Sequence, residues 1–309
     1  MKIALVGIGA IARNQHVPAI AASPDWELAA TVSRHGSVPG IPAYDDLGAM
    51  LQAHPDIRVV SLCVPPVPRY GYAAEALAAG RHVMLEKPPG ATLSECVALE
   101  DMARAARVTL FATWHSREAG QVAAAKAWLA GKRLTRLRVT WREDVRRWHP
   151  GQEWIWEPGG LGVFDPGINA LSIVTEIVAA PMHVTEAMLS VPQGRQTPIA
   201  ASLRFHHPDG AEVAMEFDWR QDGDQIWTIE AETDAGTLTL LDGGARLTVV
   251  GAPAAGATGD ALIGEYPRLY ARMARLVATG AIDLDLAPLR HVADAFTLGR
   301  RETVEPFDF

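Results

Sequence analysis

The chain has 309 residues, of which 49% are hydrophobic and 21% charged, and its formal net charge is −8. That length favours two domains over one, and the composition excludes a mainly disordered chain, a collagen-like repeat and a coiled coil. The acidic balance argues against a large basic surface for nucleic acid, and no apolar run approaches the roughly 18 residues of a bilayer span.

Lys2 to Val6 is a continuous β-prone run, suited to a strand buried on both faces of a parallel sheet. A lysine before apolar residues also mimics a short signal peptide, but one positive residue and two glycines fit a strand and turn better. Gly7-Ile8-Gly9-Ala10-Ile11-Ala12 follows at once. Gly7 permits a sharp turn, Gly9 lets the backbone approach a pyrophosphate, and Ala12 lets the next helix pack close to the strand. Free N–H groups at the start of that helix would face the phosphates, so Gly7, Gly9, Ala10, Ile11 and Ala12 are the predicted dinucleotide contacts. Glu27 to Val32 supplies the second strand of a βαβ unit. Its end carries Ser33-Arg34-His35 and lacks the carboxylate that would hold the ribose 2′-hydroxyl of NAD and repel a 2′-phosphate. Arg34 can pair with a phosphate and Ser33 can donate a hydroxyl hydrogen bond. Ser33, Arg34 and His35 are therefore assigned to the cofactor, with NADP preferred and NAD tolerated.

Arg58 to Val64 is a further strand, ending in Pro65-Pro66, and an alanine-rich helix over Tyr72 to Ala79 is capped by Gly80. His82 to Glu86 is the next strand and runs into Lys87-Pro88-Pro89. Thr92-Leu93-Ser94-Glu95 reads as a capping box that opens a helix through Arg107, and Val108 to Ala112 is the strand after it. This alternation predicts a doubly wound parallel sheet of the Rossmann type over residues 1–120. Ligands of such sheets sit beyond the carboxyl ends of the strands, which places Cys63, Pro65, Glu86 and Lys87 with the cofactor and His115 within reach of a substrate. Cys63 and Cys96 are too few for a disulfide framework and match no zinc spacing. A reducing compartment, the cytoplasm, is expected, and no metal is expected.

Residues 121–309 form the predicted second domain. Leu137 to Arg142 alternates apolar and polar residues, as do His183 to Ser190, Ala200 to His206, Ala211 to Asp218, Trp227 to Thr233, Thr237 to Leu241 and Arg246 to Val250. Turns such as Pro208-Asp209-Gly210 and Asp242-Gly243-Gly244 join them into an open, mostly antiparallel, meander-like sheet packed on helices. His206 and His207 are adjacent in this pattern and point to opposite faces, so the turn explains them better than a metal does. Gly251 to Gly259 reads as a mobile loop, and helices are expected over Leu262 to Thr279 and Pro288 to Arg300.

Three groups of residues now stand together: Gly7-x-Gly9-x-x-Ala12, Glu86-Lys87-Pro88, and Gly159-Gly160-x-x-x-x-Asp165-x-Gly167-x-Asn169. In combination and spacing, along the whole chain, they resemble the Gfo/Idh/MocA oxidoreductase family. Within it the sequence is most similar to the aldose 1-dehydrogenases that act on L-arabinose, with those that act on D-galactose close by. The resemblance implies a Rossmann domain followed by an α/β domain whose open sheet commonly pairs with a second subunit, hence a homodimer. It implies hydride transfer between a sugar carbon and nicotinamide, with Lys87 and Asp165 matching the family's catalytic lysine and aspartate. Where the family often has histidine, this chain has Asn169. A cyclitol or other sugar-alcohol dehydrogenase of the same family, or a non-catalytic dinucleotide sensor, is the competing expectation.

Oxidising a C1 hydroxyl sends a hydride to nicotinamide and a proton to a base within hydrogen-bond reach. Asn169 cannot titrate, so it can only orient the sugar or another side chain. The proton acceptor must come from Lys87, Asp165 or a nearby histidine; Lys87 and Asp165 are expected to act as one coupled pair, and the sequence leaves open which takes the proton. Asp165 could also cap a helix, since Pro166 suits the first helical position. Asn169, four residues on, would share its helix face. The chain has nine tryptophans, four of them at Trp141, Trp148, Trp154 and Trp156. Indole faces suit the C–H faces of a sugar ring, so Trp148, His149 and Trp227 are expected to flank the substrate, with His115, Asp165 and Asn169 meeting its hydroxyls.

Overall fold

The structure is a computed structural model in which residues 1–251, 255–256 and 264–308 are described. Two compact units are present. The first comprises Met1–His115 together with Tyr266–Leu286, and the second comprises Ser116–Glu265 together with Ala287–Phe309. The chain thus returns to the first unit well after residue 120.

The first unit is built on six strands: β1 (Lys2–Val6), β2 (Glu27–Val32), β3 (Ala43–Tyr44), β4 (Val59–Leu62), β5 (His82–Glu86) and β6 (Leu110–Thr113). They pair in the order β3-β2-β1-β4-β5-β6, all parallel. The residues of β1, β4 and β5 that alternate along the pleat serve opposite faces. Ala4, Val6, Val60, Leu62, Val83 and Leu85 bury against α2 (Leu47–Ala53), α3 (Pro66–Ala78) and α4 (Leu93–Ala106). Ile3, Leu5, Val59, Met84 and Phe111 bury against α1 (Val17–Ala22) and the helix Glu265–Thr279. This is the doubly wound sheet that the alternation predicts.

Helix α3 starts at Pro66, earlier than the sequence pattern suggests. Proline in a first helical turn removes only N–H groups that lack a partner in the helix anyway. Gly80, with φ +69, ends it as expected. The capping box of α4 is complete: Thr92 accepts from the Glu95 N–H, and Glu95 accepts from the Thr92 N–H.

The second unit carries a nine-stranded sheet. Its strands are β7 (Leu134–Arg142), β8 (His183–Pro192), β9 (Ala200–His206), β10 (Glu212–Asp218), β11 (Ile226–Thr233), β12 (Gly236–Leu241), β13 (Arg246–Val249), β14 (Ala255–Gly256) and β15 (Arg300–Val304). They are ordered β14-β13-β12-β11-β7-β10-β9-β8-β15. The sheet is mostly antiparallel but no simple meander, because β7–β10 and β8–β15 pair parallel. Strand β15 stands where the sequence reads only the end of a helix. The loop expected at 251–259 falls largely on residues outside the described set, as does the helix start at 262; Ala255–Gly256 is β14.

Helices α5 (Val122–Leu129), α6 (Val145–Trp148), α7 (Phe164–Ile177), α8 (the Glu265–Thr279 helix of the first unit) and α9 (Ala287–Leu298) complete the chain. Leu137, Val139, Trp141, Val213, Met215, Phe217, Ile229 and Ala231 are buried on the face that α5, α7 and α9 cover. The opposite face is polar and held by cross-strand ion pairs: Arg136 with Glu212 and Glu232, and Arg142 with Glu216. That charged face explains the alternation without an apolar partner. Among the described residues no helix is long and apolar enough to cross a membrane, and no three His, Cys, Asp or Glu side chains gather to hold a metal ion.

Candidate active site

In the first unit the turn after β1 is fixed by Gly7, whose N–H donates to the Val32 carbonyl at 2.8 Å. Its φ is +88, and a Cβ there would stand 2.8 Å from Val64 Cγ1 and 2.9 Å from the Val64 nitrogen. A side chain is excluded by the protein itself. Gly9 differs: a Cβ there meets nothing within 4 Å. It opens a hollow beside the helix start, where a phosphate could approach the backbone. Ala10 and Ile11 begin that helix, and Ala12, fully buried, lies in the π-helical turn Ala12–His16 that runs into α1. The residues fit a dinucleotide.

At the end of β2 the Ser33 hydroxyl accepts from the His35 N–H at 3.4 Å, and Arg34 and His35 are exposed. Cys63 follows β4 and is half-buried, its N–H bonded to the Val6 carbonyl at 2.8 Å, and Pro65 is the residue before α3. Lys87 is half-buried at the end of β5. The buried Arg69 guanidinium donates to the carbonyls of Glu86 and Pro88, flanking Lys87, and to that of Val64.

Glu86 is buried at the end of β5. Its Oε2 accepts from the Lys87 N–H at 2.9 Å; its Oε1 accepts from Tyr266 Oη at 2.8 Å and lies 2.9 Å from His16 Nε2. Burial pushes this carboxyl up, but the His16 hydrogen bond and charge, the His115 charge and the Tyr266 bond outweigh it and hold the group at about 2. His115 is buried and stacks on Tyr266 with ring centroids 5.7 Å apart.

In the second unit α7 places Asp165 at its second helical position, not at the cap, and Pro166 at the third. The Asp165 carboxylate stands in the first turn of this helix. Its Oδ2 lies 3.2 Å from His149 Nε2. His149 follows α6, and its Nδ1 lies 3.5 Å from Gln152 Oε1. Asn169 is half-buried four residues along α7.

Around these stands a layer of indoles. Trp227 stacks on Trp141 (centroids 5.8 Å) and meets Trp148 (5.7 Å), while Trp148 Nε1 donates to Gln225 at 3.0 Å. Trp148 and Trp227 are half-buried, whereas Trp141 and Trp156 are core residues. Glu143, 5% exposed, holds the layer from behind: its oxygens accept from Trp219 Nε1 at 3.3 Å and Trp227 Nε1 at 3.0 Å. Burial pushes the Glu143 carboxyl up to about 7, with the Asp165 charge adding and His149 and the two indole bonds opposing. Sequence reading misses Glu143, His16 and Arg69. The one signal for Glu143 is a carboxylate placed just where the alternation of β7 stops.

Residues 1–113 match the family model described as an oxidoreductase family with an NAD-binding Rossmann fold, Gfo/Idh/MocA. The galactose 1-dehydrogenase of Pseudomonas fluorescens is 41% identical over 319 aligned positions, covering 99% of this chain and 98% of that protein. The chain belongs to the Gfo/Idh/MocA oxidoreductase family. Its structure is similar to that of the D-galactose-1-dehydrogenase of Rhizobium etli, with TM-score 0.92 and 53% identity over 99% of this chain and 97% of that one. A 3-ketoreductase of Actinomadura kijaniata, in complex with NADP, shares the fold at TM-score 0.82 and 17% identity, covering 98% of this chain and 99% of that one. Like its family, the chain is an NAD(P)-dependent oxidoreductase with a Rossmann domain.

Proposed function

We propose that the protein is an aldose 1-dehydrogenase that oxidises the C1 hydroxyl of D-galactose and L-arabinose to the aldonolactone. The full-length likeness to galactose 1-dehydrogenases carries this reading. The two sugars share configuration at C2 to C4 and differ by the C6 hydroxymethyl group, so one pocket can take both. When bound, nicotinamide supplies the hydride acceptor. Ser33 and Arg34, with no carboxylate beside them, favour the 2′-phosphate of NADP over NAD.

Lys87 and Asp165 are the proposed proton-handling groups at the C1 hydroxyl. The contact with His149 keeps the Asp165 carboxylate in one orientation and offers it a hydrogen bond. Asn169 orients the hydroxyls, and Trp148 and Trp227 offer aromatic faces to the ring. His115, buried against Tyr266, is proposed to meet a further hydroxyl of the sugar. The chain is further proposed to be cytoplasmic, in keeping with its two free thiols, Cys63 and Cys96. It is proposed to form a homodimer through the charged face of the nine-stranded sheet; a monomer in sedimentation at micromolar concentration overturns that.

The test is reduction of NADP and NAD, followed by absorbance, with a panel of pentoses, hexoses and inositols. Galactose and arabinose should be oxidised with NADP favoured. Turnover of inositol alone would identify a cyclitol dehydrogenase, and no turnover at all a dinucleotide sensor. Lys87→Ala and Asp165→Ala should each lower kcat by roughly 100- to 10,000-fold with NADP binding retained. Near-normal turnover in either removes that residue from the chemistry.

A further inference from the structure

The first unit buries a histidine–carboxylate pair that the chemistry above does not use. His16, 0% exposed, lies in the π-helical turn Ala12–His16, and Glu86 lies 70 residues later at the end of β5. His16 Nε2 faces Glu86 Oε1 at 2.9 Å, and His16 Nδ1 faces Tyr270 Oη at 2.8 Å. A buried charged pair costs desolvation, and a merely apolar core would serve stability as well or better. Its retention calls for another reason, and the reason is next to it. The other Glu86 oxygen holds the Lys87 backbone N–H, while Arg69 binds the carbonyls on either side of Lys87.

We propose that the His16–Glu86 pair is a positioning device for Lys87: His16 fixes the Glu86 carboxylate as an anchor for the Lys87 backbone and balances its negative charge beside the lysine. The proposal rests on the reading of Lys87 as a proton-handling residue. The groups that face the pair from neighbouring elements are Cys63 after β4, Tyr266 and Tyr270 on α8, His115 after β6, and Arg69 on α3. Burial pulls the His16 imidazole down, but its contacts with Cys63, Tyr270 and Glu86 outweigh burial and hold it well above the usual histidine range. With His16 held high and Glu86 held low, the imidazole and the carboxylate offset one another beside Lys87, next to the buried Arg69 guanidinium. Remove the imidazolium, and Lys87 has an uncompensated carboxylate one residue away, which favours the ammonium.

The experiment is the pH dependence of kcat for His16→Gln, Glu86→Gln and the double variant in the full chain, with NADP affinity measured alongside. His16→Gln should move the limb of the profile that Lys87 controls to higher pH by about half a unit to one unit. Glu86→Gln should not move it upward, and should lower kcat by loosening the anchor. The double variant should bring the limb back toward its original position, since the uncompensated charge is gone. If His16→Gln does not fold, Tyr266→Phe carries the test. It removes one bond to Glu86 Oε1 and should move the limb the same way by less. A limb that stays in place in the folded variants, or a double variant that stays shifted, overturns the proposal. Lys87→Ala with normal turnover would instead overturn the role of Lys87 itself.

Discussion

Two glycines two positions apart separate what the fold needs from what the ligand needs. Gly7 has a left-handed φ and no room for a Cβ beside Val64, so Gly7→Ala should destabilise the first unit by about 1 to 3 kcal/mol through strain and displacement of β4. Gly9 has open space around it, so Gly9→Ala should leave thermal unfolding nearly unchanged while weakening NADP binding at least tenfold. Calorimetry without and with NADP distinguishes the two; a stability loss at Gly9 equal to that at Gly7 would refute the assignment. Glu143 gives a second residue-scale test. Its carboxyl titrates at about 7 in the folded protein, against the ordinary carboxylate value of about 4.5. The folded state therefore binds the extra proton between these values, and stability falls as pH rises through that window and levels off above about 7. The loss amounts to about 3 kcal/mol. Glu143→Gln should cost about 1 kcal/mol at about pH 5, because one indole N–H loses its acceptor, but should flatten the decline between about pH 5 and pH 7. Equal slopes of Tm against pH in the two proteins would show that another group sets them.

Elements with local signals are the ones the sequence reveals. The β1–turn–helix unit and the α4 capping box each lie within about a dozen residues, and both stand where the pattern puts them. Thr92→Ala should accordingly cost about 1 kcal/mol, read as a shift in urea midpoint with unchanged slope. Two-residue β3 is too short to show a period. Strand β15 is hidden for a different reason: it pairs parallel with β8, more than a hundred positions earlier, and most of its residues are charged because it lies at the sheet edge. The candidate site divides in the same way. Lys87, Asp165 and Asn169 are visible as motif residues. The partners that shape their surroundings, Glu86 with His16 and Glu143 with Trp219 and Trp227, are joined across 70 to 84 positions, and no spacing rule records them. Asp165 looks like a cap because Pro166 follows it; the structure starts α7 two residues earlier and sets its carboxylate 3.2 Å from His149.

At the scale of the whole chain, a boundary near residue 120 is the natural reading, since the alternation of strands and helices ends there. Tyr266–Leu286 nevertheless belongs to the first unit. Tyr266, Leu269, Tyr270 and Met273 are each at most 1% exposed and complete the core on one face of the six-stranded sheet, against Ile3, Leu5, Val59, Met84 and Phe111. Burying four such side chains contributes roughly 6 to 12 kcal/mol at the upper bound, the same size as the total stability of a domain. A fragment of residues 1–120 should therefore expose an apolar sheet face, bind a hydrophobic dye and aggregate. Expressing the same fragment with residues 264–286 attached through a flexible linker should restore a cooperative thermal transition and NADP binding, since His16 would regain Tyr270 and Glu86 would regain Tyr266. A cooperative, NADP-binding 1–120 fragment would show that α8 is dispensable to the sheet, and that the pattern-based boundary describes the folding unit better than the packing does.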